Sequence, residues 1–265
     1  MTFQNWAAYF RANQHHLDNL SWDDTYQLTE REKRAVRRSV QHFQKGESSA
    51  GSHFRQQAQQ LGDADYAQTL DLFLQEEHDH AAVLGSYLDQ EEMPRLKSHG
   101  LDRIFQWLRR QISLENTVRV ILTAELIAAV YYRALFQATY SGLLQQICLR
   151  ILADEEMHIN FQCFTLHHLS QHRSRFTNWF VRKAYGVLLL GTILAVWLSY
   201  FRTLRAGGYG FFTFSSAVWS KWVWAETMQK HVERITIRGQ EPIVLANRPK
   251  VSWDSSQRVQ PRWAH

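Results

Sequence analysis

The chain is poor in the residues that interrupt helices. Its 265 residues include only 12 Gly and 4 Pro, and three of the prolines lie beyond residue 240. Proline breaks a helix and glycine weakens one, so long uninterrupted helices are predicted before that point. Cysteine is scarcer still. Cys148 and Cys163 stand 15 residues apart on one predicted helix, too far to bond to each other. A disulfide framework is thereby excluded, which fits a reducing compartment. The opening Met-Thr-Phe-Gln-Asn-Trp has neither the basic nor the apolar stretch of a signal peptide, which predicts a cytoplasmic protein. Charge excess is small: the formal net charge is +5 and the pI near 9.3. Much of it sits in the run from Arg31 to Arg38 and in the C-terminal tail. No nucleic-acid motif accompanies it, so it reads as a solvated helix face, with no nucleic-acid partner.

Apolar residues make up 45% of the chain, enough for a sizeable core. Residues 1–28 lack a clear period and read as an N-terminal arm with one short helix. Thr29-Glu-Arg-Glu32 fits a capping box that opens the first long helix. Its apolar stripe runs through Val36, Val40 and Phe43 to Ala50 and Phe54, with Glu47 in line, and Leu61-Gly62-Asp63 ends it. A second helix is predicted from Asp65 to Glu92, before Pro94. A polar link at Arg95–Gly100 and a basic amphipathic segment at Leu101–Ile112 follow, with Ser113 as a helix cap. A third helix carries Val118, Ile121, Leu122, Glu125, Ala128 and Tyr132. After a turn at Tyr140-Ser141-Gly142, a fourth carries Ile147, Ile151, Glu155, His158 and Gln162 and ends near His172.

Two Glu-x-x-His motifs stand out, Glu77 with His80 and Glu155 with His158. Each is preceded 30 residues upstream by a further glutamate, Glu47 and Glu125. The midpoints of the two spacings, Gly62 and Tyr140, fall on the two predicted turns. In antiparallel hairpins this sets all four glutamates at one level, about 22 Å from their turns at 1.5 Å rise per residue. Residues i and i+3 share a helix face, so each Glu-x-x-His can grip one metal ion. Four carboxylates and two imidazoles suit a pair of iron ions; ligand type alone does not separate these from manganese–iron or dimanganese occupancy. Asp154 is read as a group that orients a ligand histidine through its distal N–H. Glu76 and Glu156 are read as outer or surface groups, and His53, His78, His167 and His168 as solvated or structural. Tyr131 and Tyr132 read either as core aromatics or as gating and electron-relay groups.

On these motifs, residues 36–170 resemble the ferritin-like di-iron carboxylate superfamily. Glu76-Glu77-His78-Asp79-His80 and Asp154-Glu155-Glu156-Met157-His158 are similar to the paired boxes of its acyl desaturases. The resemblance implies an all-α, ferritin-like four-helix bundle over residues 29–172. It also implies O2 activation at a carboxylate-bridged di-iron centre, with Glu47, Glu77, His80, Glu125, Glu155 and His158 as ligands. The expected substrate is a small apolar or lipid-like organic molecule, hydroxylated, desaturated or similarly oxidised. Electrons are expected from a separate ferredoxin or reductase. Two alternatives stay open: a ferroxidase or peroxidase that handles iron itself, and a membrane-surface interaction module with a structural metal.

Roughly a hundred residues lie outside the bundle. Residues 173–238 are predicted to add apolar, Trp-rich helices packed on it. Ala184–Phe201 is free of charge for 18 residues between basic flanks. It is predicted first as a buried fifth helix, next as a peripheral membrane contact, and last as a true span. A Trp-rich helix is expected from Ser215 to Ile237, and an extended tail over residues 239–265. A homodimer is compatible with this layout.

Overall fold

A computed structural model describes residues 1–48, 51–96, 113–171 and 173–237. The predicted basic segment at Leu101–Ile112 and the tail from residue 239 lie outside the described residues. Among the described residues the chain is all-helical, with eight α-helices, one short 3-10 turn and no strand.

Helix α1, Phe3–Asn13, starts from Thr2, whose hydroxyl and backbone N–H form a reciprocal cap with Asn5. It buries Trp6 and Phe10 on the aromatic rings of Phe73 and Phe161. Helix α2, Glu30–Glu47, starts at the predicted capping box: Thr29 accepts from the Glu32 N–H, and Glu32 accepts from the Thr29 N–H at 2.9 Å. Glu32 does more than cap. Fully buried, it also accepts from the Tyr26 hydroxyl and from the Tyr140 N–H, tying α2 to the turn of the second hairpin.

The first predicted helix is in fact two. Helix α2 ends at Glu47, and α3 spans Ser52–Gln60. Gly51 between them has φ +153°, a conformation that side-chain-bearing residues rarely adopt. The apolar stripe runs on across the break, which is why periodicity alone reads one helix. Glu47 is therefore the last residue of α2, and the equal-rise estimate of 22 Å does not describe its arm.

Helix α4, Ala64–Gln90, is capped by Asp63 and stops before Pro94. Helix α5, Leu114–Gln137, has Ser113 at its N-cap position, although that side chain makes no capping bond. Helix α6, Gly142–Ser170, is capped by the Ser141 hydroxyl. α2 packs on α4, α5 packs extensively on α6, and α4 meets α6 between them. The buried apolar side chains fall into two clusters, one around Leu70, Phe73, Ile121 and Phe161, the other around Val40, Leu84, Leu144 and Ile151. Along α4 and α6 the Glu-x-x-His motifs stand between them.

Residues 173–237 form a second layer. Helix α7, Arg175–Ala206, is 32 residues long, with non-helical dihedrals at Tyr200. It absorbs Ala184–Phe201 as part of one longer helix. That segment is not a buried fifth helix, as first expected. One side packs on α2 and α5, while Val187, Leu190, Leu194 and Leu198 are exposed. Helix α8, Phe211–Lys230, returns along α7 and packs on α6, and the turn Val232–Arg234 follows. The Trp-rich helix thus starts and ends earlier than predicted.

Gly207 joins the two. A Cβ at this position would overlap the backbone of Ala134 on α5, within 2.6 Å of its Cα. Backbone cannot yield as a flexible side chain does, so Gly207→Ala is expected to cost about 3 kcal/mol by overpacking. Urea unfolding measures it; an unchanged midpoint would show that the hairpin is not held this closely.

Candidate metal centre

Sequence spacing puts Glu77 and His80 one turn apart on α4, and Glu155 and His158 one turn apart on α6. Helix α5 contributes Glu125 and the end of α2 contributes Glu47. His80, Glu155 and His158 are fully buried, Glu77 and Glu125 nearly so, and Glu47 is half-buried. His158 Nδ1 lies 2.9 Å from Glu77 Oε1 and 3.7 Å from Glu125 Oε2. One ligand atom from each of Glu77, Glu125 and His158 falls within 4.8 Å of the others, a spacing one cation can bridge. His80 Nδ1 is 3.9 Å from the same Glu77 oxygen, and the two imidazole rings are 5.6 Å apart. Glu47 lies against Glu77, and Glu155 against Glu125.

Each histidine is held from behind. His80 donates its Nε2–H to Asp154 Oδ2 at 2.9 Å, and His158 donates Nε2–H to Glu76 Oε2 at 2.7 Å. A carboxylate there fixes the proton on Nε2 and turns Nδ1 inward. The pairing is crossed: the acid that precedes Glu155 on α6 holds the histidine of α4, and the acid that precedes Glu77 on α4 holds the histidine of α6. Asp154 thus bonds a histidine of the facing helix and not of its own. Glu76 does the same, and Glu156 is exposed.

Several of the inward atoms are unsatisfied. His80 Nδ1, His158 Nδ1, Glu77 Oε1 and both oxygens of Glu155 are buried without a hydrogen-bond partner. Buried polar groups are normally paired, and an isolated buried carboxylate is costly. A donor set of carboxylate oxygens and imidazole nitrogens, oriented from outside and unsatisfied within, fits divalent iron or manganese.

Without metal, protons must fill that role. Burial, then the neighbouring Glu77, pushes Glu47 well above the usual carboxylate range. Burial, then Glu125, does the same to Glu155 and raises Glu77. Burial would also raise Glu125, but the neighbouring His158 and Glu155 outweigh it and hold Glu125 down. Burial would lower His158, yet Glu77, Glu125 and Glu76 around it push it well up.

Two further residues complete the site, and both come from the N-terminal arm. Asn13 donates to Glu76 Oε1 at 2.6 Å and to Asp154 Oδ1 at 2.9 Å, bridging the two orienting acids. His16 contacts Asp154 Oδ2 through Nε2 and the Asn13 carbonyl through Nδ1, each at 2.6 Å. With acceptors at both ring nitrogens, the cationic form of His16 is favoured: burial works against it, but the hydrogen bond to Asp154 wins. Against burial, bonds from His16 and His80 draw Asp154 well below the usual carboxylate range. Nothing in the spacing of Asn13 or His16 signals this role.

Tyr132 donates its hydroxyl to Glu47 Oε1 at 2.8 Å. Tyr131 instead stacks flat on Phe43, ring centres 3.6 Å apart. His167 and His168 bond to backbone carbonyls and stay out of the cluster. A cavity of about 310 Å³ lined by Arg119, His167, Arg182, Glu226 and Lys230 lies near the far end of α6. It is about 13 Å along the helix from His158 and belongs to a different part of the surface. Comparisons with protein-family models, with curated proteins and with solved structures find no match to this chain, so its chemistry has to be read from the site itself.

Proposed function

We propose that this chain is a ferritin-like non-haem di-iron oxidase or oxygenase that uses O2 to oxidise a small apolar or lipid-like substrate. The observation that carries the reading is the inward ring of unsatisfied carboxylate and imidazole atoms, held in place by crossed outer acids. Glu47, Glu77, His80, Glu125, Glu155 and His158 would hold two ions. Bound iron would supply the redox chemistry with O2, and electrons would come from a separate ferredoxin or reductase. The protein's own contribution is orientation and exclusion of water. Asp154 and Glu76 fix the two imidazoles, and Asn13 links those acids so that neither can turn away. Tyr132 holds one oxygen of Glu47 and leaves the other to reach the site. α1 closes the outer side with Trp6 and Phe10, and apolar clusters close it above and below.

An apolar wall on both sides favours an organic substrate over iron as cargo. The two cysteines are free and buried, which suits a reducing cytoplasmic setting. Anaerobic loading with Fe(II), followed by metal analysis and Mössbauer spectroscopy, tests the reading. About two irons per chain in one coupled cluster are expected. A single zinc, or no bound metal, would end it. Growth of a large ferric core on air exposure would favour the ferroxidase alternative.

A further inference from the structure

We infer that the outer face of the α7–α8 hairpin docks on an anionic lipid bilayer, lying in its surface. The docking is independent of the metal. Its consequence, that substrate reaches the centre from the lipid, rests on the oxygenase reading.

Between Lys183 and Arg202 the exposed positions of α7 are Ala184, Val187, Leu190, Gly191, Leu194, Leu198 and Phe201, with no polar side chain among them. Val187 is 70% exposed and Leu198 65%. From Ala184 to Phe201 the stripe runs about 26 Å at helical rise. α8 adds Phe212, Trp219, Val223 and Trp224, and the start of α7 adds Phe176, Trp179 and Phe180, all exposed. α8 also exposes Thr213, Ser216, Ser220 and Thr227, so the unbroken apolar stripe is that of α7. Single exposed apolar residues are ordinary, but a stripe of this extent marks an interaction surface.

Charge selects the occupant. Residues 175–230 hold seven lysines and arginines against the single Glu226, a formal +6 that exceeds the +5 of the whole chain. α7 itself contains no acid. Lys183 and Arg202, at the two ends of the stripe, have no carboxylate partner among the described residues; they lie over the rings of Trp179 and Phe201 instead. A second copy of this face would oppose cations with cations in a two-fold dimer. A negatively charged bilayer neutralises them while its acyl region accepts the leucines and tryptophans.

Spanning is disfavoured by what lies behind. The inner side of α7 packs on α2, whose other faces carry exposed Arg34, Arg37 and Arg38. Thr203 bonds Ser39 and the Ala35 carbonyl, and the His42 ring meets the Tyr200 hydroxyl at 3.1 Å. The hairpin therefore stays on the body and meets lipid on one side. α7 rests on α2 and α5, the helices that carry Glu47 and Glu125, the two glutamates without a histidine partner in their motif. The other flank, around His80 and His158, is closed by α1.

Flotation of the full chain with phosphatidylcholine vesicles, with and without phosphatidylglycerol, tests this. Binding to the anionic vesicles is expected, about tenfold weaker to the neutral ones. Leu190→Ser/Leu194→Ser/Leu198→Ser should lower the partition coefficient about 100-fold. Circular dichroism and bound metal should be unchanged, because these side chains face outward. Lys183→Gln/Arg202→Gln keeps the apolar face and should erase most of the anionic preference. A wild-type chain that stays unbound with anionic vesicles overturns the inference, as does a leucine variant that floats like wild type. A wild-type dimer that the leucine substitutions dissociate, without vesicle binding, assigns the face to a second copy instead. Flotation by a chain that takes up no iron would keep the docking and remove the oxygenase reading.

Discussion

Glu125→Ala is expected to reduce bound iron from about two ions per chain to one or none, with affinity at the remaining position down at least about 100-fold. Loss of an outer orienting partner already costs 10–100-fold in metal affinity, and a direct ligand costs more. Glu125 sits in Ile-Leu-Thr-Ala-Glu-Leu-Ile-Ala-Ala-Val, an apolar stretch that offers no replacement ligand. It lies against Glu155 and within 3.7 Å of His158 Nδ1, so its removal reaches both Glu-x-x-His pairs. The folded metal-free chain should survive, because a truncated carboxylate relieves a buried charge and His158 keeps Glu76 and Glu77. Glu156→Ala, exposed one residue from a ligand, is the control and should bind normally. Metal analysis by mass spectrometry, beside a thermal melt, separates lost binding from lost folding. Full iron in Glu125→Ala would overturn the ligand assignment.

Stripping the metal is expected to lower Tm by about 10–20 °C near pH 8, and by clearly less near pH 5.5. Two ions present at 100 times their Kd contribute roughly 3 kcal/mol each, and a chain of this size shifts about 2–4 °C per kcal/mol. The pH dependence belongs to the metal-free state. Glu47, Glu77 and Glu155 are raised above their ordinary value of 4.5, so the fold keeps protons that the unfolded chain releases. The stability they permit is complete below pH 4.5 and declines as pH rises through their folded values. His158, raised above 6.5, acts in the same direction, its contribution complete below 6.5 and lost as pH rises further. Asp154 runs opposite, but its contribution is lost only as pH falls below 3.8, outside this window. Metal displaces those protons, so the loaded protein should not lose stability as pH rises. Its metal-bound imidazoles, protonated in the unfolded chain below about pH 6.5, should make it gain between about pH 5.5 and 6.5. Differential scanning calorimetry of the two forms at both pH values measures this. Parallel pH dependence of the two would show that these carboxylates do not share the metal's place.

Much of this was legible in the sequence, because the helices that carry the candidate ligands also carry a period. Glu77, His80, Glu125, Glu155 and His158 lie on apolar stripes, and a buried charge on such a stripe marks itself. Turn chemistry placed Gly62 and Ser141 correctly for the same local reason. Non-local features stayed hidden. Asn13 and His16 reach Asp154 across about 140 residues of sequence, with no motif to announce it. The gap between α2 and α3 lies in a stripe that stays in phase across it. Ala184–Phe201 reads as buried because hydropathy reports composition; which side of a helix meets its neighbours is decided by packing. The cross-over of orienting acids was half visible: Asp154 could be picked out, but adjacency along the chain suggests a histidine of its own helix.

That cross-over has a consequence for assembly. Neither hairpin alone can present an aimed imidazole, since the acid that aims it belongs to the other. A one-residue slip between α4 and α6 would swing Glu76 and Asp154 off their targets by about 100° of helix rotation. Such a chain would keep much of its apolar burial and yet fail to take up metal. If the centre binds metal as proposed, loading would act as a proofreading step on the docking of two similar halves, and a misregistered molecule would be left without the ions that hold it together.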